Sequence, residues 1–347
     1  MEYIGIDVHK NQSQICILSE EGEITQQRIR TERKRLEEVL GGHWGCRILL
    51  EASTESEWVA RCLEAFGHEV IVADPNYAPM YGQRNRRVKT DRRDAEALAI
   101  ACRMGTYRQA HRVSDEQRHR RAVLSAREAL VRTRVRYIAL VRALLRRQGY
   151  RVPTGTSASF GIRIDKLQLP GEMDSEIGPL LTILGELNRQ LEECDQQVEE
   201  MVGQDESVRR LCTVPGVGIL TATAFVSVVD EVGRFQGAHQ LESYLGLTPR
   251  EMSSGDKQHR GAITKAGNGR MRWMLVESAW CILRSRRAET WHLRRWTERI
   301  ALRRGRRVAL VALARKLAGI LYALLRDGTV YASLKVAQPE AQESTVR

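Results

Sequence analysis

The order of short apolar runs near the N-terminus constrains the fold more than any other feature of the sequence. Runs at residues 4–7, 14–18 and 23–30 come first, and Glu21-Gly22 forms a turn between the last two. This spacing predicts an antiparallel meander. Gly5 lies in the first run, and a strand glycine lets another backbone or a ligand approach closely.

Helices and strands alternate after the meander. Residues 32–40 predict a helix, and residues 46–50 form a short apolar strand that ends on Glu51. Residues 55–66 have helical spacing, and residues 69–73 predict a further strand. Three antiparallel strands followed by alternating helices and strands predict an α/β domain.

Four carboxylates fall where these elements would meet. Asp7 and Glu51 each end a strand, and Asp91 and Asp94 share one face at the start of a helix predicted over residues 91–104. Clustered acids are electrostatically costly unless divalent cations hold them, and hard oxygen ligands suit Mg²⁺. Two such ions could activate an attacking oxygen and stabilise a leaving oxygen on a phosphate. The alternative is that each acid is a helix cap or a surface residue.

Arginine dominates the charge, which is +12 with an isoelectric point of about 9.6. Residues 118–147, inside a helix predicted over residues 115–148, hold ten arginines and one acid, and residues 284–307 hold ten arginines and two acids. Guanidinium groups suit phosphate, so a nucleic-acid partner is favoured. A membrane is disfavoured, because the charge is spread over several segments and no apolar run looks long enough to span a bilayer. The seven cysteines, none in a C-x-x-C pattern, indicate neither disulfides nor a zinc knuckle.

The middle and the end of the chain are predicted to be largely helical. Residues 149–178 are rich in Gly, Pro, Ser and Thr and predict a linker. A mostly acidic helix is predicted over residues 183–202, and packing it against the arginine-rich helix as a coiled coil would balance their charges. Residues 308–325 predict a core helix, and residues 331–347 predict a disordered tail.

Two segments of the C-terminal part predict contacts with nucleic acid. Pro215-Gly216-Val217-Gly218 lies between two apolar helical stretches, as in a helix-hairpin-helix, whose backbone N–H groups can hold a phosphate. A plain helix–helix turn explains the same pattern. The second segment is a long polar loop over residues 244–275, of a length that is often functional. Its basic residues include Arg250, Lys257, Arg260 and Lys265.

A series of short motifs runs in one order along almost the whole chain. The N-terminal part contains "YIGIDVHK", "LLEAS" and "KTDRRDA". The C-terminal part contains "VPGVG", "YLGLTPRE", "SSGDKQHRG" and "ITKAGNGRMRW". Together they resemble the DEDD transposases of insertion sequences, recombinases that are guided by a bridge RNA. The resemblance extends over residues 1–330.

This resemblance implies a fold class of α/β plus α and a metal site. An RNase H-like (RuvC-like) domain is expected over residues 1–110, a long helical coiled-coil segment over residues 111–205, and a mostly helical transposase domain with a helix-hairpin-helix element over residues 206–330. The implied ligands of Mg²⁺, with Mn²⁺ as an alternative, are Asp7, Glu51, Asp91 and Asp94.

The implied nucleophile is a serine. In the family it directly precedes a glycine after the "TPR" stretch, which selects Ser254 rather than Ser253. Ser254 would attack a DNA phosphodiester, aided by the acids and Mg²⁺ of another subunit, and leave a phosphoserine-linked DNA end. The basic residues of its loop would steady the phosphate or contact the nucleic-acid backbone. A basic loop ahead of the helix over residues 91–104 is assigned the same contacts through Arg86, Arg87 and Lys89.

The resemblance also implies partners and a location. The expected partners are donor and target double-stranded DNA, a structured bridge RNA that selects sequence by base pairing, and further copies of the chain in a dimer or tetramer. A cytoplasmic, nucleoid-associated protein of a prokaryote, with no membrane partner, is expected.

Two other functions fit parts of the sequence. A Holliday-junction-type, RuvC-like endonuclease would use the four acids but leave Ser254 and the C-terminal part without a role. A non-catalytic nucleic-acid-binding protein with a decayed site would explain only the charge.

Overall fold

The computed structural model describes residues 1–82, 90–251 and 260–332, with the backbone alone for Arg260. The chain forms two compact units, Met1–Val113 and Ser114–Arg347. The finer division of the second unit at residue 205 stays a prediction. The predicted disorder of the tail falls on residues 333–347, which lie outside the described residues.

The N-terminal unit is built on a five-stranded mixed sheet. Its strands are β1 (Tyr3–Val8), β2 (Gln12–Leu18), β3 (Ile24–Arg30), β4 (Arg47–Glu51) and β5 (Glu69–Ala73). The order is β3-β2-β1-β4-β5, with antiparallel pairs among β1, β2 and β3 and parallel pairs among β1, β4 and β5. Its described α-helices are α1 (Arg33–Leu40), α2 (Ser56–Glu64) and α3 (Asp91–Met104). The predicted meander and the alternation of helices and strands are confirmed.

Helices cover both faces of this sheet. Ile48 and Leu50 belong to the cluster that contains buried residues of α1 and α2. Leu49, between them, packs in a second cluster with Leu98 of α3. Because successive residues of a strand point to opposite faces, an apolar strand such as β4 serves two helical layers.

Gly5 is the point where α3 lies directly on β1. A Cβ atom here would lie 2.1 Å from the carbonyl oxygen of Ala95 and 2.3 Å from the amide nitrogen of Ala99. The close approach predicted at this glycine is therefore that of another backbone. The crossing also brings the first turn of α3 to the carboxyl end of β1, where Asp91 lies near His9.

The long arginine-rich helix is confirmed as α4 (Asp115–Arg147). The predicted linker after it is wrong, because that segment contains α5 (Phe160–Asp165) and the first turns of α6 (Gly171–Val202). Phe160 and Ile164 are buried in one cluster with side chains of α4 and α6. A few apolar side chains decide the structure of this segment, although Gly, Pro, Ser and Thr dominate its composition.

The helices α4 and α6 pack antiparallel with complementary charges. Arg127 Nε lies 2.5 Å from Asp195 Oδ1, and Arg134 donates to Asn188 Oδ1 at 3.0 Å. The side chain of Arg120 is 5% exposed and lies 2.5 Å from Asp205, just beyond α6. The predicted balance of arginine against acid is thus present within one chain, whereas the coiled coil itself stays a prediction.

The rest of the C-terminal unit is helical with one small hairpin. Its described elements are α7 (Glu206–Cys212), α8 (Ile219–Val229), α9 (Ala238–Tyr244), β6 (Pro249–Glu251), β7 (Arg260–Ile263), α10 (Gly269–Arg284), α11 (Trp291–Arg304) and α12 (Arg306–Asp327). The polar loop predicted within residues 244–275 is wrong in part, because β6 and β7 pair antiparallel inside it. These strands escaped detection because they are short and polar.

The helix α12 is the central core helix of this unit, as predicted for residues 308–325. Leu313, Leu317 and Leu321 are fully buried. Contrary to expectation, α12 is long and apolar enough to cross a membrane. Half of that apolar segment is buried inside the unit, which is the arrangement of a core helix.

We expect Gly5→Ala to loosen α3 from β1, because the new methyl group would overlap two backbone atoms. Overpacking of about 3 kcal/mol would speed amide hydrogen exchange over residues 91–104 by about a hundredfold. Gly42→Ala is the matched control, since a Cβ there meets nothing within 4 Å. Unchanged exchange in Gly5→Ala would contradict the close contact.

We expect Asp205→Ala to lower the free energy of unfolding of the C-terminal unit by about 2 kcal/mol, because buried Arg120 loses one of its two carboxylate partners and keeps only Glu116, at 2.7 Å. Asp205 also accepts a hydrogen bond from Val208 N at 3.1 Å and so caps α7. Urea unfolding followed by tryptophan fluorescence reports mainly on this unit, which holds four of the six tryptophans. Asp195→Ala, at a residue whose side chain is 45% exposed, should cost less than about 1 kcal/mol. Equal losses of unfolding free energy in Asp205→Ala and Asp195→Ala would show that the buried pair of Arg120 and Asp205 is not the source of the larger loss.

Candidate active site and nucleic-acid interface

Two of the predicted acids end adjacent strands. Asp7 lies near the end of β1, with its side chain 13% exposed, and Glu51 is the last residue of β4. The parallel pairing of Ile6 with Leu50 brings both acids to the same edge of the sheet. This is the carboxyl edge of the parallel strands, where α/β sheets bind ligands.

The other two acids lie in the first turn of α3. Thr90 caps this helix by accepting a hydrogen bond from Arg93 N at 3.3 Å. Asp91 is partly exposed, whereas Asp94 is buried at 5% exposure. Carboxylates at a helix N-terminus are stabilised by the helix dipole.

His9 joins Asp7 to Asp91 and was not predicted as a site residue. Its Nε2 lies 3.3 Å from Asp7 Oδ2 and 3.7 Å from Asp91 Oδ1. Arg28 on β3 adds a cation, with Nη2 3.4 Å from Asp91 Oδ2. A sequence signal for His9 existed, since residues two apart in an extended chain share a face. Arg28 had none, because its proximity depends on sheet pairing.

The donor set at this edge fits a divalent cation. Potential ligand atoms of Asp7, His9 and Asp91 all lie within 4.8 Å of one another. Carboxylate oxygens are the ligands of Mg²⁺, and Mn²⁺ accepts carboxylate together with imidazole.

The predicted nucleophile falls outside the described residues, but both ends of its segment are described. Ser253, Ser254 and Lys257 lie in residues 252–259, between β6 and β7 in the sequence. Arg86, Arg87 and Lys89 also lie outside the described residues, as does the side chain of Arg260.

A backbone clasp closes the base of the hairpin that would carry Ser254. Gly246 and Gly267 both have positive φ, and Cβ atoms there would lie 2.3 Å from Ala266 O and 2.1 Å from Tyr244 O. The amide of Lys265, itself at φ 58°, donates to Gly246 O at 3.1 Å. The glycines of "YLGL" and "KAGNG" therefore permit two chain segments to touch.

The basic residues at the base of this hairpin, which we call the stem, point to solvent. Arg250 on β6 and Lys265 are both exposed. Arg272, by contrast, turns inward and donates to Leu245 O at 3.0 Å and to the carbonyl of Ala266. Two of the four predicted phosphate contacts are thus described, and both are accessible.

A polar group that the sequence did not reveal lies beside the stem. Arg315 Nε lies 2.5 Å from Glu242 Oε2, and its Nη2 lies 3.1 Å from His239 Nδ1. Thr248 and Glu251 line the same pocket of about 300 Å³ as His239 and Arg315. The group joins residues about seventy positions apart, so no local pattern could have predicted it.

The Pro215–Gly218 turn offers only its glycines to a phosphate. Pro215 and Val217 are buried, and the assignment of their turn to phosphate binding stays a prediction. Gly216 has φ 82°, and a Cβ there would lie 2.8 Å from Ser278 O, so its glycine is also required for packing on α10. Gly218 is exposed and precedes the N-terminus of α8. The helix-hairpin-helix assignment stays a prediction.

Some of the predicted nucleic-acid arginines are structural. Arg121 donates to Ser227 O at 2.8 Å, and Arg270 donates to Leu124 O at 2.7 Å and pairs with Glu128 at 2.6 Å. Burial lowers the pKa of both guanidinium groups. The arginines that remain exposed along α4 are Arg132, Arg136, Arg146 and Arg147.

Comparisons with known proteins decide the family. A family model for DEDD proteins of IS110 elements, described as "Transposase", matches residues 4–148, and one described as "Transposase IS116/IS110/IS902 family" matches residues 208–294. A probable family 20 transposase of Pseudomonas aeruginosa is 30% identical over 298 residues, which cover 82% of this chain and 86% of the relative. The chain belongs to the IS110/IS116/IS902 transposase family.

Other members resemble the chain over nearly its whole length. The transposase for insertion sequence element IS1111A of Coxiella burnetii is 27% identical over 336 residues, 95% of this chain and 91% of the relative. The transposase for insertion sequence element IS1328 of Yersinia enterocolitica is 28% identical over 332 residues, 94% of this chain and 98% of the relative.

Membership of the IS110/IS116/IS902 family establishes the general activity and the fold of the N-terminal unit. The protein is a DNA transposase, an enzyme that binds DNA, and its DEDD domain is RNase H-like. DEDD transposases typically depend on a divalent metal.

We expect Asp7→Asn and Asp91→Asn each to weaken Mn²⁺ binding by about tenfold or more, because each removes a charged oxygen ligand. Electron paramagnetic resonance of free Mn²⁺ during a titration measures this affinity. Glu69→Gln is the matched control, since Glu69 pairs with Arg47 at 2.8 Å on the surface of the same sheet. Undiminished Mn²⁺ affinity in both aspartate variants would contradict a metal site at this edge.

Proposed function

We propose that this transposase cuts and rejoins DNA through a covalent phosphoserine at Ser254, with Asp7, Glu51, Asp91 and Asp94 as the ligands of Mg²⁺ or Mn²⁺. The observation that carries the proposal is the convergence of acids from β1 and α3, in a chain that belongs to a DEDD transposase family.

The acids are positioned by backbone packing rather than by flexible loops. Hydrogen-bonded strands flank β1 on both sides and hold Asp7, while the contact at Gly5 holds the first turn of α3. Arg28 offsets part of the charge of Asp91, and His9 lies between Asp7 and Asp91. A divalent cation bound by these acids would supply positive charge where charge develops on a DNA phosphate.

Ser254 supplies the covalent step of the proposal. Its Oγ forms a bond to phosphorus while one P–O bond of the DNA backbone breaks, and the proton lost by the serine balances the one gained by the leaving sugar oxygen. One phosphate ester replaces another, so the step is reversible and allows the DNA to be rejoined. The clasp at Gly246 and Gly267 supports this role, because it fixes the ends of the segment that carries the serine.

Exposed cations form the proposed interface with donor DNA, target DNA and a bridge RNA. Arg284 lies 5.3 Å from the ring centre of Trp280, and Arg295 lies 5.1 Å from that of Trp291, so aromatic faces accompany the charge. The four exposed arginines of α4 extend this surface along the helix. The remaining members of the interface are Arg86, Arg87, Lys89, Arg250, Lys257, Arg260, Lys265 and the backbones of Gly216 and Gly218.

The proposal includes the assembly and the location of the protein. Copies of the chain associate as a dimer or tetramer through the helical segment over residues 111–205, and the bridge RNA selects sequence by base pairing. The complex acts on the nucleoid in the cytoplasm of a prokaryote.

Covalent chemistry distinguishes this proposal from hydrolysis by a RuvC-like, Holliday-junction-type endonuclease. That second function is favoured by one observation. The acid edge, meaning the end of the sheet that carries Asp7 and Asp91, lies within the N-terminal unit, and hydrolysis requires no serine.

We expect the wild-type protein to form a denaturation-resistant adduct with labelled DNA when it is supplied with donor, target, guide RNA and Mg²⁺. Ser254→Ala should abolish the adduct because the bond-forming oxygen is lost, and Asp7→Ala should abolish it because metal binding fails. Denaturing gels measure protein-linked DNA directly.

Ser253→Ala is the matched control and should retain the adduct. Loss of the adduct in Ser253→Ala but not in Ser254→Ala would move the nucleophile by one residue. DNA cleavage without an adduct, and equally fast in Ser254→Ala, would establish the hydrolytic endonuclease instead.

A further inference from the structure

A second cluster of metal-binding residue types lies at the opposite end of β1 from the acids. Glu2 Oε2 lies 2.6 Å from His43 Nδ1 and 3.4 Å from Cys46 Sγ. The three potential ligand atoms lie within 4.8 Å of one another. Glu2 and Asp7 are five residues apart on an extended strand, roughly 16 Å, so the two clusters are separate.

The donor set differs in kind from that of the acid edge. One carboxylate oxygen, one imidazole nitrogen and one thiol sulfur suit a borderline-soft ion such as Zn²⁺ and not Mg²⁺. In tetrahedral zinc sites the ligand atoms are about 3.3–3.8 Å apart. The Glu2–Cys46 distance already has this value, and the Glu2–His43 distance reaches it when the partly exposed Glu2 side chain moves by less than about 1 Å.

Backbone hydrogen bonds hold the three residues in place. Arg47 N donates to Glu2 O at 3.0 Å, and Glu69 N donates to Cys46 O at 3.0 Å. His43 N donates to Leu40 O at 3.1 Å, at the end of α1. The cluster is therefore held by the residues that directly precede β1 and β4 and by the turn after α1.

The cluster also has room for a fourth ligand. Glu2 and His43 line an open pocket of about 400 Å³, whereas Cys46 is 1% exposed and lies behind them. Three protein ligands with one open position are the arrangement in which zinc keeps a water molecule or binds another ligand.

We propose that Glu2 Oε2, His43 Nδ1 and Cys46 Sγ bind a Zn²⁺ ion at the amino edge of the sheet. A zinc–sulfur bond replaces the S–H bond of Cys46, and the proton passes to solvent. The bound ion tethers the turn of residues 41–46, which presents the indole of Trp44 with 92% exposure. Strand pairing assembles this ligand set, so it does not depend on a C-x-x-C pattern.

Cobalt(II) substitution tests the proposal, because a thiolate–cobalt bond gives a near-ultraviolet charge-transfer band that oxygen and nitrogen ligands alone do not. The full-length protein is used with Cys212→Ser and Cys281→Ser, which remove the two exposed thiols. We expect the band to saturate at one equivalent of Co²⁺ and to be displaced by Zn²⁺.

Two ligand variants and two control variants in that background test the site. Cys46→Ser should abolish the band, and His43→Ala should weaken Co²⁺ binding by about tenfold or more. Cys102→Ser, at another buried thiol of the same unit, should keep the band. Asp7→Asn should also keep it, because the acid edge contains no sulfur.

Absence of a charge-transfer band in the parent protein, or its persistence in Cys46→Ser, would overturn the zinc site. Either result would leave the phosphoserine proposal untouched, because the adduct assay does not involve these residues. A folding defect in one variant does not obscure the outcome, since the parent protein alone must show the band.

Discussion

The backbone contact between α3 and β1 at Gly5 is the constraint on which the acid cluster depends. Carboxylates repel one another, so they do not assemble by mutual attraction. Helix packing brings them together instead, with Thr90 fixing where α3 begins and the absence of a side chain at Gly5 fixing how closely it lies. The helix N-terminus then offsets part of the repulsion between Asp7 and Asp91. A bulkier residue at position 5 would move the entire first turn of α3.

The features that the sequence could predict are local, and those it missed are not. Short apolar runs predicted the strands, and acids at the strand ends and at a helix start predicted that carboxylates would lie close together. Arg28 reaches Asp91 only through the pairing of β3 with β2 and of β2 with β1, which no spacing reveals. The hairpin of β6 and β7 is too short and polar to show a pattern, and α5 is held by two apolar side chains in a segment with linker composition.

The arginines show why the net charge of a sequence overestimates the number of cations available to bind nucleic acid. Arg120, Arg121 and Arg270 bind acids and carbonyl groups inside the C-terminal unit, where they join α4 to its neighbours. Removing one of them leaves a buried partner unsatisfied, whereas removing an exposed arginine such as Arg132 leaves the fold intact. Burial therefore divides a charge pattern that looks uniform in the sequence into a structural part and a part available to phosphate.

The central strand β1 runs between the two clusters, one at its amino end and one at its carboxyl end. Its parallel register with β4, from Tyr3 opposite Arg47 to Ile6 opposite Leu50, aligns Glu2 with Cys46 at one end and Asp7 with Glu51 at the other. A shift of one residue in the register between β1 and β4 would separate both pairs of residues at once, because alternate side chains point to opposite faces of the sheet. The clusters differ in ligand chemistry, because Cys46 adds a sulfur to the carboxylate and imidazole of one cluster, whereas Asp7, His9 and Asp91 offer only oxygen and nitrogen. The zinc and magnesium sites that we propose therefore differ in ligand type, although one strand positions both clusters.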